Sequence, residues 1–360
     1  MDYKTNYTED LNICIPNDSK AVQNFTMSGD LPRTSYSSFI MPTLFGIICL
    51  LGIIGNSLVI CTVLKKSGPI SSVPDIFIIS LSMVDLLFLL GMPFLIHQLL
   101  GNGAWHFGEI MCTVITALDA NSQFTSTYIL TAMSIDRYLA TVYPFTSTRF
   151  RKPPVAIAVI CMLWALSFLS ITPVWMYAQL IPLPGGLLGC GICLPDPQRD
   201  IYWYTLYQFF LAFAIPFALI TGAYRKILLK LSRSSEALMS QRNTRAAQTK
   251  KLTCTAIAIC AAFFICWAPF HLLQLAQLAM TRPTLPFHYA YNVAISLGYA
   301  NSCLNPFIYI LLGQNFPRGL GVPVRPAAAG QATQNGSKAS HGDASESGQS
   351  LLHLVSISGR

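Results

Sequence analysis

Long apolar stretches alternate with short polar ones through most of the chain. Seven of the apolar stretches are long enough to cross a bilayer as a helix, which takes about 20 residues. Their predicted bounds are Phe39–Leu64, Pro74–Leu99, Glu109–Val142, Pro154–Tyr177, Tyr202–Leu231, Thr249–Met280 and Leu285–Leu312. The pattern predicts an all-α membrane protein, a bundle of seven transmembrane helices.

The composition excludes a soluble globular protein. Hydrophobic residues make up 53% of the chain and charged residues only 11%, whereas soluble domains carry about 25% charged residues. Such a chain cannot cover a water-facing surface with polar groups. We therefore expect a multi-pass protein in contact with membrane lipid, with no nucleic-acid partner.

The distribution of basic residues predicts the orientation of the bundle. If the N-terminus lies outside, five of the 23 Lys and Arg residues are external and the other 18 lie at or beyond the inner face. Loops on the cytoplasmic side carry an excess of Lys and Arg. The N-terminus is therefore predicted to be outside.

Three regions follow from this topology. Residues 1–38 form a predicted extracellular tail, glycosylated at the N-x-S/T acceptors Asn6, Asn17 and Asn24. Residues 39–312 form the transmembrane domain. Residues 313–360, rich in Ala, Gly, Ser and Gln, form a predicted disordered cytoplasmic tail. No signal peptide is visible, so the first span is expected to act as an uncleaved signal anchor.

The 11 cysteines divide along the same boundary. Seven lie in the spans, where a small apolar filler is the simplest interpretation. Cys14, Cys112, Cys190 and Cys193 face the oxidising side and are able to form disulfides, although the sequence does not give their connectivity.

One face of the third span carries opposite charges at its two ends. Asp119 and Arg137 are 18 residues apart, or about 27 Å along a helix, which is nearly the thickness of the hydrocarbon layer. A receptor that couples an external cation to an internal partner needs this arrangement. The stripe at helical spacing consists of Asp119, Gln123, Ser126, Leu130, Met133 and Arg137.

Polar residues inside other spans indicate a second polar site. An intramembrane carboxylate is costly and by default marks function. One carboxylate with neutral oxygens suits a monovalent cation, so an allosteric Na⁺ is the one candidate cofactor. The candidate ligands are Asp85, Ser126, Asn301, Ser302 and Asn305.

Ordered motifs on the seven spans resemble the rhodopsin-like (class A) G-protein-coupled receptors. The motifs are Gly55-Asn56, Leu81-Ser-Met-Val-Asp85, Cys112, Asp136-Arg137-Tyr138, Trp164, Pro216, Tyr224, Cys266-Trp267-Ala268-Pro269 and Asn305-Pro306-Phe307-Ile308-Tyr309. Asp119 with Gln123 and the run Asn301-Ser-Cys-Leu-Asn-Pro look like the somatostatin and opioid branch. Longer stretches resemble receptors for one cyclic cationic neuropeptide.

The resemblance implies a multi-pass receptor of the plasma membrane and not an enzyme. Asp119 would receive a cationic group of a peptide hormone, and the Cys112–Cys190 disulfide would tie the second outer loop to the third span. The other implied ligand contacts are Gln123, Trp267, His271, Gln274 and Tyr299. The implied partner is a heterotrimeric G protein of the Gi/o class, with Gq as an alternative, and arrestin regulation of the tail is expected. The implied activation residues are Asp136, Arg137, Tyr138, Tyr224, Phe263, Trp267, Asn305, Pro306 and Tyr309.

Several positions depart from the class. Thr249 stands where some members carry an acid, so the inactive state is expected to rest on Asp136 with Arg137 and a hydroxyl such as Thr253, with some basal activity. Thr127 replaces a bulky aliphatic residue. Pro317 and Gly319 predict a short or absent helix after the seventh span. A second disulfide between Cys14 and Cys193 is an open alternative to two unpaired thiols.

Other classes fit less well. A transporter would show paired broken helices in two halves, which are not found. A retinal protein needs a lysine in the seventh span, and residues 285–312 contain none. An intramembrane protease needs a catalytic motif that the sequence lacks. A somatostatin- or opioid-like peptide receptor is the nearest alternative.

Overall fold

The computed structural model describes residues 40–67, 72–101, 103–183, 185–237, 244–280 and 284–312. They contain seven long helical segments where the hydrophobic pattern predicts them. Helix α4 continues after Ile171 as a short helix, Thr172–Tyr177. Helix α5 has three parts, Pro197–Phe209, a π-helical turn at Phe210–Ala214, and Ile215–Ala237. The other bounds are α1 Met41–Ser67, α2 Val73–Leu100, α3 Gly108–Val142, α4 Pro153–Ser170, α6 Thr244–Leu278 and α7 Leu285–Leu312.

Length and composition alone identify five of the described helices as able to cross a membrane, namely α1, α2, α4, α5 and α6. Helices α3 and α7 are 35 and 28 residues long, but they are less apolar because they carry buried polar side chains. Ser126 and Asn305, for example, are only 3% and 2% exposed. The two helices richest in candidate chemistry are therefore those with the weakest membrane signal.

A β-hairpin, which the sequence analysis did not predict, joins α4 to α5. Strand β1, Ala178–Leu183, pairs antiparallel with β2, Leu187–Ile192. Gly185 and Gly186 both adopt positive φ in the turn, a conformation that residues with a Cβ rarely adopt. We call the end of the bundle under this hairpin the hairpin end.

Three prolines inside helices each leave one backbone carbonyl without its helical hydrogen-bond donor. A side chain of a neighbouring helix donates to that carbonyl instead. Proline has no N–H, so the carbonyl four residues earlier loses its helical partner. Thr127 of α3 donates to Ala212 O at 3.1 Å, four residues before Pro216. Cys49 of α1 likewise donates to Leu89 O, four residues before Pro93. These contacts tie each kinked helix to its neighbour.

The third proline, Pro306 of α7, explains the Gly55-Asn56 motif. Asn56 donates to Ser302 O at 2.9 Å, the carbonyl that Pro306 leaves unpaired. A Cβ added to Gly55 would lie 2.9 Å from the Pro306 ring, so only glycine lets α1 approach this closely. The motif therefore packs α1 against the kink in α7.

Several predictions concern residues outside the described ranges. These are the glycosylation sites Asn6, Asn17 and Asn24, the cysteine Cys14, the tail 313–360, and the segment after α7 that carries Pro317 and Gly319.

Candidate ligand pocket and coupling end

Asp119 lies in the half of α3 nearer the hairpin and is partly exposed. The Tyr299 hydroxyl donates to its carboxylate at 3.3 Å. The Tyr299 ring is held between Phe45 and Phe88, with centroids 5.2 and 5.1 Å away. Within the part of the chain that the structure describes, no cation forms an ion pair with Asp119. Among the described residues the carboxylate therefore has one neutral hydrogen-bond donor and no counter-ion, so it is able to pair with a cation from outside the protein.

Gln123, one turn further along α3, is paired with His271 of α6. Its side-chain nitrogen lies 2.8 Å from His271 Nε2. His271 is fully buried, with an exposed fraction of 0%, and the rings of Phe209 and Phe213 pack on it. His271 therefore supports Gln123 from behind, and its Nδ1 is buried without a partner among the described residues.

Gln274 and Trp267 lie on the same side of α6. The Gln274 amide donates to Gln208 of α5 at 3.5 Å, and its Oε1 has no partner among the described residues. Trp267 packs on Phe263, and a Cβ added to Gly298 of α7 would lie 3.0 Å from its ring. Glycine at this position lets α7 contact the indole directly.

The hairpin is fixed to the ends of α2 and α3. A disulfide joins Cys112 of α3 to Cys190 of β2, as the resemblance implies. Thr113 donates to Ala178 O at 3.0 Å, and Gln98 donates to Cys190 O at 3.1 Å. Cys193 is disulfide-bonded as well, which removes the alternative of a free thiol at this position, while Cys14 lies outside the described residues.

The opposite end of α3 carries a three-residue charge cluster. Asp136 accepts hydrogen bonds from Arg137 beside it and also from Arg151, whose Nε lies 2.6 Å from Asp136 Oδ1. The expected pairing of Asp136 with Arg137 is present. Thr253 is buried, but none of the described hydrogen bonds joins it to Arg137. Arg151, and not Thr253, is the additional partner in this cluster.

The three tyrosines predicted to act in activation lie on α5, α7 and α3. The Tyr224 hydroxyl lies 3.3 Å from Ser134 Oγ and 3.8 Å from Cys260 Sγ. The Tyr309 hydroxyl is buried without a partner in the described part of the chain. Tyr138 packs edge-on against Tyr143, and the Lys226 ammonium lies 5.6 Å from its ring centre.

The residues of the candidate sodium site are all buried. Asn305 donates to Asp85 at 2.9 Å. The side-chain oxygens of Asn301 and Asn305 are buried without described partners, and Ser126 and Ser302 are 3% and 6% exposed. A buried carboxylate beside unpaired amide oxygens is a donor set that fits a small monovalent cation.

This chain belongs to the rhodopsin family of seven-transmembrane receptors, whose model matches residues 55–309. These are G-protein-coupled receptors, not enzymes, and the protein is a multi-pass protein of the plasma membrane. The predicted seven-helix fold class is thereby confirmed.

Curated relatives resemble the chain over most of its length. It is 67% identical over 320 residues to melanin-concentrating hormone receptor 1 of Mus musculus, covering 88% of this chain and 90% of the relative. The Homo sapiens receptor of the same name is 66% identical over the same shares. Melanin-concentrating hormone receptor 2 of Homo sapiens is 40% identical over 78% of this chain and 83% of its own.

Sequence reasoning missed several contacts. Arg151 was counted only as one of the inner basic residues, because nothing in the linear sequence pairs it with Asp136, 15 positions earlier. Ser134 and Cys260 carried no signal, since small residues in a span are usually packing. The partnership of Gln123 with His271 joins two residues that were predicted separately.

Proposed function

We propose that this protein is a cell-surface receptor for melanin-concentrating hormone, a cyclic cationic neuropeptide, with its N-terminus outside. The stretches that resemble one neuropeptide receptor family look like the first subtype of melanin-concentrating hormone receptor more than the second. The observation that carries the proposal is Asp119, a carboxylate below the hairpin with one neutral donor and no described counter-ion.

The hormone's arginine is the expected partner of Asp119. A guanidinium offers two parallel N–H donors to a carboxylate, which is the strongest neutral-pH match for an acid in a partly desolvated pocket. Gln123 extends the polar surface by one turn, and Tyr299 orients the carboxylate. Trp267 and Gln274 form the α6 side of the pocket, while His271 acts through Gln123.

The signal is proposed to pass along α3 and α6 to the opposite end of the bundle. Trp267 rests on Phe263, and Phe263 is 1% exposed, so a ligand that moves the indole must repack the core below it. At the far end, release of Arg137 from Asp136 would let Tyr224 and Tyr309 rearrange around it. A G protein of the Gi/o class is the proposed partner, with Gq as the alternative and arrestin as a regulator of the tail.

The test measures hormone-dependent inhibition of cyclic AMP in cells that express the chain. The parent should respond to melanin-concentrating hormone, and Asp119→Ala should lose at least about 30-fold in potency, because truncating one partner of a charge pair that the bound hormone buries costs about 2–5 kcal/mol. Hormone analogues in which one arginine at a time is replaced by citrulline should be less potent than the hormone at the parent receptor. Only the analogue that lacks the arginine bound by Asp119 should be as potent as the hormone at Asp119→Ala.

Surface expression of both forms, measured with an epitope tag, is the control. A surface-expressed parent that ignores the hormone but answers a somatostatin- or opioid-like peptide would contradict the hormone assignment and support the nearest alternative.

We also propose that Asp85 and the neighbouring oxygens of Ser126, Asn301, Ser302 and Asn305 bind sodium as an allosteric ion. The buried carboxylate and the unpaired amide oxygens support this. Replacing NaCl by N-methylglucamine chloride should raise agonist affinity in the parent but not in Asp85→Asn. An equal response of both forms would contradict the site.

A further inference from the structure

A groove lies between α3, α4 and α5, and Val73 and Phe77 of α2 contribute to its lining. It encloses about 700 Å³. The apolar side chains at its rim are exposed, including Leu166 at 48%, Ile215 at 52% and Leu219 at 53%. In a membrane protein such side chains contact lipid, so the groove opens to the hydrocarbon layer.

The length of the groove matches one leaflet. It begins where Tyr128 of α3 and Ser170 of α4 share a hydrogen bond of 2.9 Å. It extends past Leu139, 11 residues further along α3, which is about 17 Å of helix. Half of a hydrocarbon layer is about 15 Å thick. One acyl chain of the leaflet at the end opposite the hairpin therefore fills it from end to end.

Two basic side chains line the groove at its far end. Arg151 uses two of its N–H groups on Asp136, and a guanidinium has five, so three donors have no acceptor among the described side chains. Lys152, which is exposed, also lines the groove and has no described side-chain partner. Arg149, three residues before Lys152, is also exposed.

We propose that this groove binds one anionic phospholipid of the cytoplasmic leaflet, with its phosphate on Arg151 and Lys152 and one acyl chain along α3, α4 and α5. The charge and the length both point to this occupant. A sterol would fill the apolar part but has no anion for the two cations. A free phosphate would bind the cations but leave the apolar length empty.

The proposed lipid also reaches the charge cluster at the end of α3. Its phosphate would accept hydrogen bonds from the guanidinium of Arg151, which also forms an ion pair with Asp136. Arg137 and Arg151 compete for the carboxylate of Asp136. A weaker Arg151–Asp136 pair therefore strengthens the Arg137–Asp136 pair. Bound anionic lipid should therefore stabilise the pairing of Arg137 and lower basal signalling, a step that rests on the proposed receptor function.

The binding step is tested with the purified full chain and no hormone. Native mass spectrometry counts the lipids retained after mixing with phosphatidylserine or phosphatidylcholine of identical chains. The parent should retain one phosphatidylserine at concentrations where phosphatidylcholine is not retained. Lys152→Gln should weaken retention about fivefold, the usual contribution of one basic residue at a membrane surface. Val159→Trp, which fills the groove, should abolish it.

Two matched variants serve as controls. Lys65→Gln removes an equal charge from α1 at the same end of the bundle. Val293→Trp adds an equal bulk at an exposed position of α7. Neither variant should change lipid retention. Equal retention of phosphatidylcholine, unchanged retention in Val159→Trp, or displacement of phosphatidylserine by cholesterol would each overturn the proposal.

The regulatory step is tested by basal nucleotide exchange on a purified Gi heterotrimer with the receptor in nanodiscs. The parent should be less active in phosphatidylserine than in phosphatidylcholine, and Lys152→Gln should reduce that difference. An unchanged difference would overturn this step alone. Failure of the hormone assignment would appear as loss of the hormone response in both lipids, with lipid retention intact.

Discussion

The two acids of α3 lie in opposite electrostatic settings. Asp119, near the hairpin, has one neutral donor, Tyr299. Asp136, 17 residues further along, accepts from two arginines. The same side chain is thus left without a described counter-ion at one end and held by two cations at the other. The difference supports the proposed function, in which Asp119 receives a cation from outside the protein and the pair of Asp136 with Arg137 is broken on activation.

The most direct test of this comparison is the same substitution at both ends. Asp136→Asn leaves Arg137, whose side chain is 5% exposed, without its counter-ion, and should lower the free energy of unfolding by about 3–5 kcal/mol. Asp119→Asn keeps an acceptor for Tyr299 and removes a charge with no ionic partner, so stability should stay the same or rise. Thermal unfolding in detergent measures both, and equal losses would contradict the comparison.

A second test concerns the middle of α3, which separates the two ends. Thr127→Val keeps the shape of the side chain but removes the donor to Ala212 O, and Ala212 is fully buried. We expect a loss of about 1–2 kcal/mol, near the upper end for such bonds in membrane proteins.

Thr131→Val is the matched control for Thr127→Val, one turn away on the same helix. Its hydroxyl bonds Thr127 O within the helix, which also has its own helical partner, so its loss should be small. Similar losses in unfolding temperature for the two variants would show that the carbonyl freed by Pro216 does not need Thr127.

Tyr299→Phe removes the one neutral donor to Asp119 while the ring keeps its contacts with Phe45 and Phe88. Hormone potency should fall by up to about tenfold, since a single hydrogen bond contributes about 1 kcal/mol. A fall as large as that of Asp119→Ala, in the same cyclic AMP assay, would mean that Tyr299 binds the hormone itself.

Arg151→Gln should have the smallest effect on stability. Its side chain is 25% exposed, so water screens the pair and reduces its contribution toward the value of about 1 kcal/mol or less that surface ion pairs have. Basal G-protein activation should fall slightly, since Asp136 then holds Arg137 alone. A rise in basal activation would instead mean that Arg151 restrains the inactive state.

Helical spacing alone places the charged ends of the stripe on α3. The period of 3.6 residues puts Asp119, Gln123 and Arg137 on one stripe whatever their neighbours are. The hydrophobic pattern likewise places the seven helices within a few residues of the structure, since each span must satisfy its own backbone in lipid.

The sequence does not indicate which residues contact each other across the bundle. Nothing in the order of residues joins Asp136 to Arg151, Gln123 to His271 or Thr127 to Ala212, because each contact depends on how elements that are distant in the sequence pack together. The hairpin between α4 and α5 was missed for a related reason. Its two strands are only six residues long, and an interrupting Pro182 weakens their strand pattern.

The sequence by itself therefore determined the number of long helices and the face of α3 that carries charge. It also predicts on which side of the membrane each loop lies. These properties follow from local composition and helical period. Only the tertiary structure decided which charges are paired. That choice depends on distances of a few ångströms between residues on different elements, where the interaction of two charges changes steeply with separation and burial.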